Sequence, residues 1–313
     1  MTTFGFQIPN FTFSGDDGEM FANVVDLVDT AEDVGFESVW AMDHFYQLPA
    51  LGGGTQPMLE AYTLLGALAA VTSRIHLGTL VTGVTYRNPA MLAKQVTTLD
   101  VISGGRAILG IGAAWHDVEH EAMGFDFPPV KERMDRLEEA VQICRAMFTQ
   151  ETPSFDGRYY RVHEVHNVPR PLQPGGPKIM IGGSGERRTL RLVAQYADLC
   201  NISGDAAAVR HKLGVLREHC DAVGRDPSAI TATRLATLLL TNSAQETAQA
   251  RDFLAQAAGP EAAAGFNVGE EHEIVEQVGE LVEAGLDTLI FNMPLGDPAA
   301  VDRAGTLLIN TFS

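Results

Sequence analysis

The segment Gly182-Gly183-Ser184-Gly185-Glu186-Arg187-Arg188 is the chain's best candidate for holding an anion. It follows an apolar, strand-like run and precedes a helical pattern. Glycines at such a junction let backbone N–H groups converge at a helix N-terminus, where negative charge is stabilised. Ser184 can add a hydroxyl, while Arg187 and Arg188 add positive charge. The alternative is a tight strand-to-helix turn with solvated arginines. The segment is not a P-loop, because Gly-Lys-Ser/Thr is absent, and its glycines miss the G-x-G-x-x-G spacing of a dinucleotide site. Asp43-His44 is the second candidate. A histidine exchanges protons near neutral pH, and a neighbouring carboxylate can accept a hydrogen bond from a ligand ring or hydroxyl. The same pair also suits a cap or a loop brace. His116-Asp117-Val118-Glu119-His120 matches H-x-x-E-H, a zinc-peptidase pattern. No other segment is an obvious source of the further ligand such a site uses, so the expectation is a solvated first helical turn and no metal. Ser184 is not expected to be a nucleophile, since Gly183-Ser184-Gly185 lacks the G-x-S-x-G elbow.

Each candidate stands where a short apolar run ends. The runs are Phe4–Pro9, Glu37–Ala41, Ile75–Leu80, Ala107–Ile111, Lys178–Ile181, Asp198–Asn201, Thr231–Leu240 and Asp287–Asn292. Helical patterns separate them. Val130–Phe148 repeats apolar residues at intervals of three and four with charges on the other face, Glu270–Ala284 does the same, and Ala61–Val71 is apolar nearly all round. Alternating strand and helix is the signature of a parallel sheet, and eight strands are what a closed (β/α)8 barrel needs. The expected class is therefore α/β, a TIM barrel with loop and hairpin insertions, in preference to an open doubly wound sheet. One domain is expected over 1–313, with a hairpin-and-loop insertion at about 151–177 and a mobile loop at about 257–270. In such a barrel the residues just after each strand build the site.

Composition narrows the partners. With 313 residues and 45% hydrophobic content, the chain can bury a large core. A net charge of −18 argues against nucleic acid, whose phosphates need a basic face. The three cysteines are widely spaced and odd in number, which suits reduced thiols. Neither a signal-peptide pattern nor an apolar run long enough to span a membrane is evident, so a cytoplasmic protein is expected.

Taken together, these motifs resemble the luciferase-like hydride transferases, most closely the actinobacterial branch that uses the deazaflavin coenzyme F420. The resemblance covers nearly the whole chain. It rests on Phe4–Pro9, the stretch Ser38 to Phe45 and the stretch Leu77 to Gly83 with Arg87-Asn88-Pro89. It continues through Ser103-Gly104-Gly105-Arg106, Gly110 to Trp115, Ile181 to Leu190 and Phe291-Asn292-Met293-Pro294. It implies the bacterial luciferase-like barrel and an oxidoreductase that passes a hydride between F420 and a small organic substrate. It further implies that His44 is the proton donor or acceptor and that Asp43 contacts the deazaflavin. Val81, Thr82, Gly83, Ala113, Ala114 and Trp115 would line the ring, and Gly182, Gly183, Ser184, Glu186 and Arg187 would hold the phosphate. A non-prolyl cis peptide would map to Leu80–Val81. The sugar-phosphate dehydrogenase branch carries an acidic residue at the place of Trp115; an indole there implies a different substrate, apolar or aromatic. FMN-using monooxygenases share most of these motifs and are the alternative, and a non-catalytic cofactor-binding protein is a third reading. A homodimer is implied, with no nucleic-acid or membrane partner.

Overall fold

The computed structural model describes residues 2–13, 15–259, 265–294 and 297–312. Its strands, in chain order, are β1 (Thr3–Gln7), β2 (Ser38–Ala41), β3 (His76–Thr79), β4 (Thr82–Gly83), β5 (Ala107–Gly112), β6 (Phe155–Asp156), β7 (Arg161–Val162), β8 (Lys178–Gly182), β9 (Leu199–Asn201), β10 (Thr231–Leu240), β11 (Asn267–Gly269) and β12 (Thr288–Asn292). The parallel ladder runs β1-β2-β3-β5-β8-β9-β10-β12 and closes with β12 against β1, so eight strands form a complete barrel. All eight apolar runs of the sequence become these strands, within one or two residues at their ends. Closure leaves no free edge among them and brings every C-terminal end to one mouth.

The strands are buried on both faces, as a parallel sheet wrapped by helices requires. All six residues of β5 and all four of β2 are buried. The outer layer is the larger core. The helix Val130–Thr149 contributes Met134, Leu137, Val141, Cys144 and Met147 to it, at the intervals read from the sequence. The helix Ala61–Val71 keeps only Thr63, Ala70 and Val71 exposed, which matches its nearly continuous apolar surface. A second, smaller cluster fills the barrel interior with Trp40, Leu80, Ile108, Met180, Leu199 and Ile290. Gly78 makes room for it, because a Cβ there would lie 2.7 Å from the Trp40 ring.

Three local features depart from the simple pattern. The third run is interrupted: β3 ends at Thr79, the Leu80–Val81 peptide is cis, and the short β4 pairs separately with Ile111 and Gly112 of β5. Within 152–177, β6 and β7 pair as a small antiparallel hairpin outside the barrel. Of the loop expected at 257–270, residues 260–264 lie outside the described residues. Residues 257 and 258 instead close the helix Ala244–Ala258, and Asn267–Gly269 is strand β11 on Leu238–Leu240. The small residues there conceal a strand because its backbone partner is the unusually long β10, a long-range pairing with no local signature. Among the described residues, no helix is long and apolar enough to cross a membrane.

The opposite, N-terminal end of the barrel is tied by one cation. Arg106 is 9% exposed and donates to the carbonyls of Ala69, Thr72, Ile75 and Ser103 and to the Thr72 hydroxyl. It thus joins the helix Ala61–Val71 to the entries of β3 and β5. Removing it strands several buried acceptors. Arg106→Met should therefore cost about 3 kcal/mol in urea unfolding, and Arg106→Lys should restore only part of it. A loss below about 1 kcal/mol would show that water replaces the guanidinium without penalty.

Candidate active site

At the barrel mouth the strand exits enclose a cleft of about 360 Å3. Asp43 and His44 follow β2, Leu80 and Val81 follow β3, and Gly83 ends β4. Gly112, Ala113, Ala114 and Trp115 leave β5, Gly182 and Gly183 leave β8, and Asn201 and Leu235 complete the far wall. The Val81 side chain projects between β5 and β8. It fits only because positions 112 and 182 are glycine, where a Cβ would come within 2.8–2.9 Å of its methyl groups. The result is an apolar ledge of Leu80 and Val81. It faces Ala113, Ala114 and the indole of Trp115, which is 62% exposed. Ala114 has φ +60°, a left-handed conformation uncommon for alanine, as the chain turns out of β5.

Asp43 is buried, and one of its carboxylate oxygens is already engaged. Oδ2 accepts from Arg87 Nη1 at 2.6 Å and from the Gly83 N–H at 3.3 Å. Oδ1 has no partner among the described residues. Burial pushes the carboxyl above its ordinary value against the pull of the Arg87 guanidinium. Arg87 also donates to Glu60 Oε1 at 2.6 Å and lies over the Tyr62 ring at 4.8 Å. Its place is set by the next residues: Asn88 caps the helix Pro89–Ile102, with Pro89 in the first turn.

His44 is held by a carboxylate that the sequence reading left in solvent. Glu119 is fully buried, and its Oε2 lies 2.9 Å from His44 Nδ1 and accepts from the Tyr86 hydroxyl at 2.7 Å. Its Oε1 accepts from the N–H groups of Phe45 and Tyr46, at 2.6 and 2.7 Å. Burial opposes the charged form, but the hydrogen bonds from His44, the Tyr46 N–H and Tyr86 outweigh it and hold the carboxyl down at about 2. An ionised carboxylate only accepts, so Nδ1 of His44 carries the proton. Among the described residues Nε2 then has no partner, on a ring that lines the cleft. Trp115 meets this ring edge-on, with centroids 5.5 Å apart.

The expected solvated turn at 116–120 is therefore corrected. His116, Glu119 and His120 are all buried. His120 Nδ1 donates to the His116 carbonyl at 2.7 Å, and Nε2 meets the Thr85 hydroxyl at 2.6 Å. The signal was present in the spacing: on the helix Asp117–Met123, residues three and four apart share one face, and here that face turns inward.

The glycine loop after β8 has a mixed outcome. Gly182 and Gly183 line the cleft, and Gly183 has φ +119°, a conformation that glycine adopts freely. Ser184 lies just outside; its hydroxyl accepts from the Ser203 N–H at 2.9 Å and lies 3.1 Å from Ser203 Oγ. Glu186 is engaged elsewhere, 3.0 Å from His211 Nε2, and Arg188 is spent on Asp135 and the Lys131 carbonyl. Arg187 is exposed and makes no hydrogen bond or ion pair among the described residues. Lys212 stands nearby and donates to the Ser203 carbonyl. Thr82 sits behind the cleft wall, fully buried, sharing hydrogen bonds with Tyr62 and Thr79. Glu119, Tyr86, Arg87 and Asn201 are the site residues that sequence reasoning missed.

The depressed acidity of Glu119 fixes the sign of a pH effect. A carboxyl lowered on folding stabilises the fold above its unfolded value near 4.5 and loses that contribution as pH falls toward about 2. Wild type should exceed Glu119→Gln by about 3 kcal/mol at pH 7 in urea unfolding, with the gap closing between these two values. A gap that stays constant down to pH 2 would show that Glu119 is not ionised in the folded protein.

Comparison with known proteins agrees with this fold. The sequence profile described as luciferase-like monooxygenase matches residues 2–263. An F420-dependent glucose-6-phosphate dehydrogenase of Kineococcus radiotolerans is 35% identical over 226 residues, 69% of this chain and 64% of that protein. Relatives of the same description from Amycolatopsis mediterranei and Intrasporangium calvum match over 50% of their length, so the chain spans about half to two thirds of the curated relatives it matches. The F420-dependent tetrahydromethanopterin reductase of Methanopyrus kandleri superposes with a TM-score of 0.80 at 18% identity, covering 100% of this chain and 99% of that one. A monooxygenase from Streptomyces bottropensis does so at 0.81 and 22%, covering 99% and 98%. At such identities these two structures speak for the fold. With its closed barrel and a profile match over most of its length, the chain belongs to the luciferase-like monooxygenase family.

Proposed function

We propose that this protein is an F420-dependent oxidoreductase that passes a hydride between the deazaflavin and a small organic substrate. The observation that carries this reading is the placement of His44. Its ring lines the cleft with no partner at Nε2 among the described residues, and the glycines that precede Arg187 line the same cleft. The residues present suit a flat ring with a phosphate-bearing tail. Leu80, Val81, Ala113 and Ala114 offer apolar faces, Asp43 Oδ1 offers an acceptor, and Gly182, Gly183, Ser184 and Arg187 suit an anion. The descriptions of the Kineococcus and Amycolatopsis relatives support F420 as the cofactor.

When bound, the deazaflavin takes up or gives a hydride at C5. The chain's own task is to position the partners, exclude water and manage one proton. His44 donates Nδ1–H to Glu119, which fixes the ring and stabilises it when Nε2 takes a proton from substrate. Glu119 is thus a positioning residue for His44, and Trp115 restricts the ring's other side. The protein is further proposed to act as a homodimer in the cytoplasm without nucleic-acid or membrane partners; its net charge of −18 supports the absence of a nucleic-acid partner.

The family's description as monooxygenases favours one alternative, an FMN-dependent oxygenase on the same barrel. Fluorescence titration of the protein with oxidised F420 and with FMN separates the two: F420 should bind at least tenfold more tightly. FMN preference, with oxygen uptake from reduced FMN, would establish the alternative. His44→Ala should lower turnover about 100-fold or more while F420 affinity stays within about twofold, as expected for a lost general acid–base group. Arg187→Gln should do the reverse, weakening F420 binding about tenfold with little change in turnover at saturation.

A further inference from the structure

A second cleft opens at the same barrel mouth, beside β1, β10 and β12, with a volume of about 440 Å3. Its body is apolar, with Leu48, Leu51, Leu239, Phe253, Leu254 and Phe266 on its walls. Its polar lining residues are Thr12, Thr237 and three carboxamides, Asn10, Gln56 and Asn292; among the described residues no ionisable side chain lines it. Each carboxamide is oriented by hydrogen bonds within the protein. Asn10 Nδ2 donates to the Pro294 carbonyl at 2.9 Å, Gln56 Oε1 accepts from the Thr12 hydroxyl at 3.1 Å, and Asn292 Oδ1 accepts from the Thr237 hydroxyl at 2.8 Å. Each NH2 group still holds an unused N–H, since an amide nitrogen carries two hydrogens. The donors left for a ligand are therefore neutral ones.

The walls of the two clefts are linked by hydrogen bonds. Asn292 Nδ2 donates to Gln7 Oε1 at 3.1 Å, and Gln7 Nε2 reaches the Leu80 carbonyl at 3.4 Å. A continuous line of hydrogen bonds thus runs from Thr237 through Asn292 and buried Gln7 to Leu80, which walls the His44 cleft. Arg87 and Arg234 are committed, and Arg187 lies on the glycine loop assigned above to the cofactor's anion. Arg87 is paired with Asp43 and Glu60, and buried Arg234 donates to the carbonyls of Gly204 and Gly265 and to Asn267 Oδ1.

Resting on the oxidoreductase reading above, the geometry points to this second cleft as the substrate chamber, taking a neutral molecule with an apolar body and a single carbonyl or hydroxyl oxygen. A phosphorylated or carboxylated substrate would enter it with no cation to replace its hydration, in a chain of net charge −18. The chain therefore differs in substrate class from relatives described as glucose-6-phosphate dehydrogenases.

The test uses the cofactor-free protein and a neutral fluorescent probe, N-phenyl-1-naphthylamine. Wild type should show saturable enhancement, reversed by 2-cyclohexen-1-one and unaffected by glucose 6-phosphate at the same concentration. Leu239→Trp, which fills the chamber, and Phe253→Glu, which places a charge at its exposed rim, should each weaken the probe at least tenfold while F420 affinity stays within twofold. Because Phe253 is 57% exposed, the second variant folds even if the first does not. Displacement by glucose 6-phosphate, or undiminished probe binding in Phe253→Glu, would overturn the assignment. The F420 titration is read separately. A wild type that binds the probe as described but not F420 removes the oxidoreductase reading and leaves the ligand class of the chamber standing.

Discussion

The buried carboxylate of Glu119 sets the shape of the barrel mouth. It gathers four donors, two from the backbone after β2 and two from the side chains of His44 and Tyr86, around one charge that water cannot reach. The loop after β2 carries Asp43 and His44, so the geometry of both follows from a residue on a different βα unit. Charge-assisted hydrogen bonds are stronger and shorter than neutral ones, and a buried charge of this kind persists only when every donor is in place. That mutual dependence ties the loop after β2 to the helix Asp117–Met123.

The same device recurs around the molecule and gives its acidic composition a structural use. Glu32 accepts from the N–H groups of Ser73, Arg74 and Ile75, Asp100 from Leu172 and Gln173, and Glu139 from Arg158, Tyr159 and Tyr160. In each case a helix carboxylate fastens a loop whose backbone donors lack partners in a helix or strand. Arg106 answers with the opposite polarity at the barrel's other end, where carbonyls converge. Part of the excess of Asp and Glu over Lys and Arg, 40 against 22, is thus engaged with backbone amides instead of opposing cations.

Two clefts at one mouth divide the work by chemistry. The first combines apolar faces, glycines and the free Arg187, which suits a cofactor with a flat ring and an anionic tail. The second combines aliphatic and aromatic walls with neutral amides. The polar line through Gln7 and Asn292 links their walls, each member using one end of its carboxamide on each neighbour.

Much of this was legible in one dimension. The eight strands, the amphipathic helix at 130–148 and the glycines after β8 are local patterns, fixed by side-chain periodicity and by which residues tolerate which backbone angles. The apolar runs and their spacing determined that a barrel would form and that Asp43, His44, Ala113 to Trp115 and Gly182 to Gly183 would meet at its mouth. Partner choice was decided only in three dimensions. Nothing in H-x-x-E-H states that Glu119 will turn inward to His44, or that Glu186 and Arg188 will turn away to His211 and Asp135. Nor does a small-residue stretch announce that Asn267–Gly269 will add to β10. Such contacts join residues tens of positions apart, and each is selected by the demand that a buried charge or backbone group find a partner once the barrel has closed.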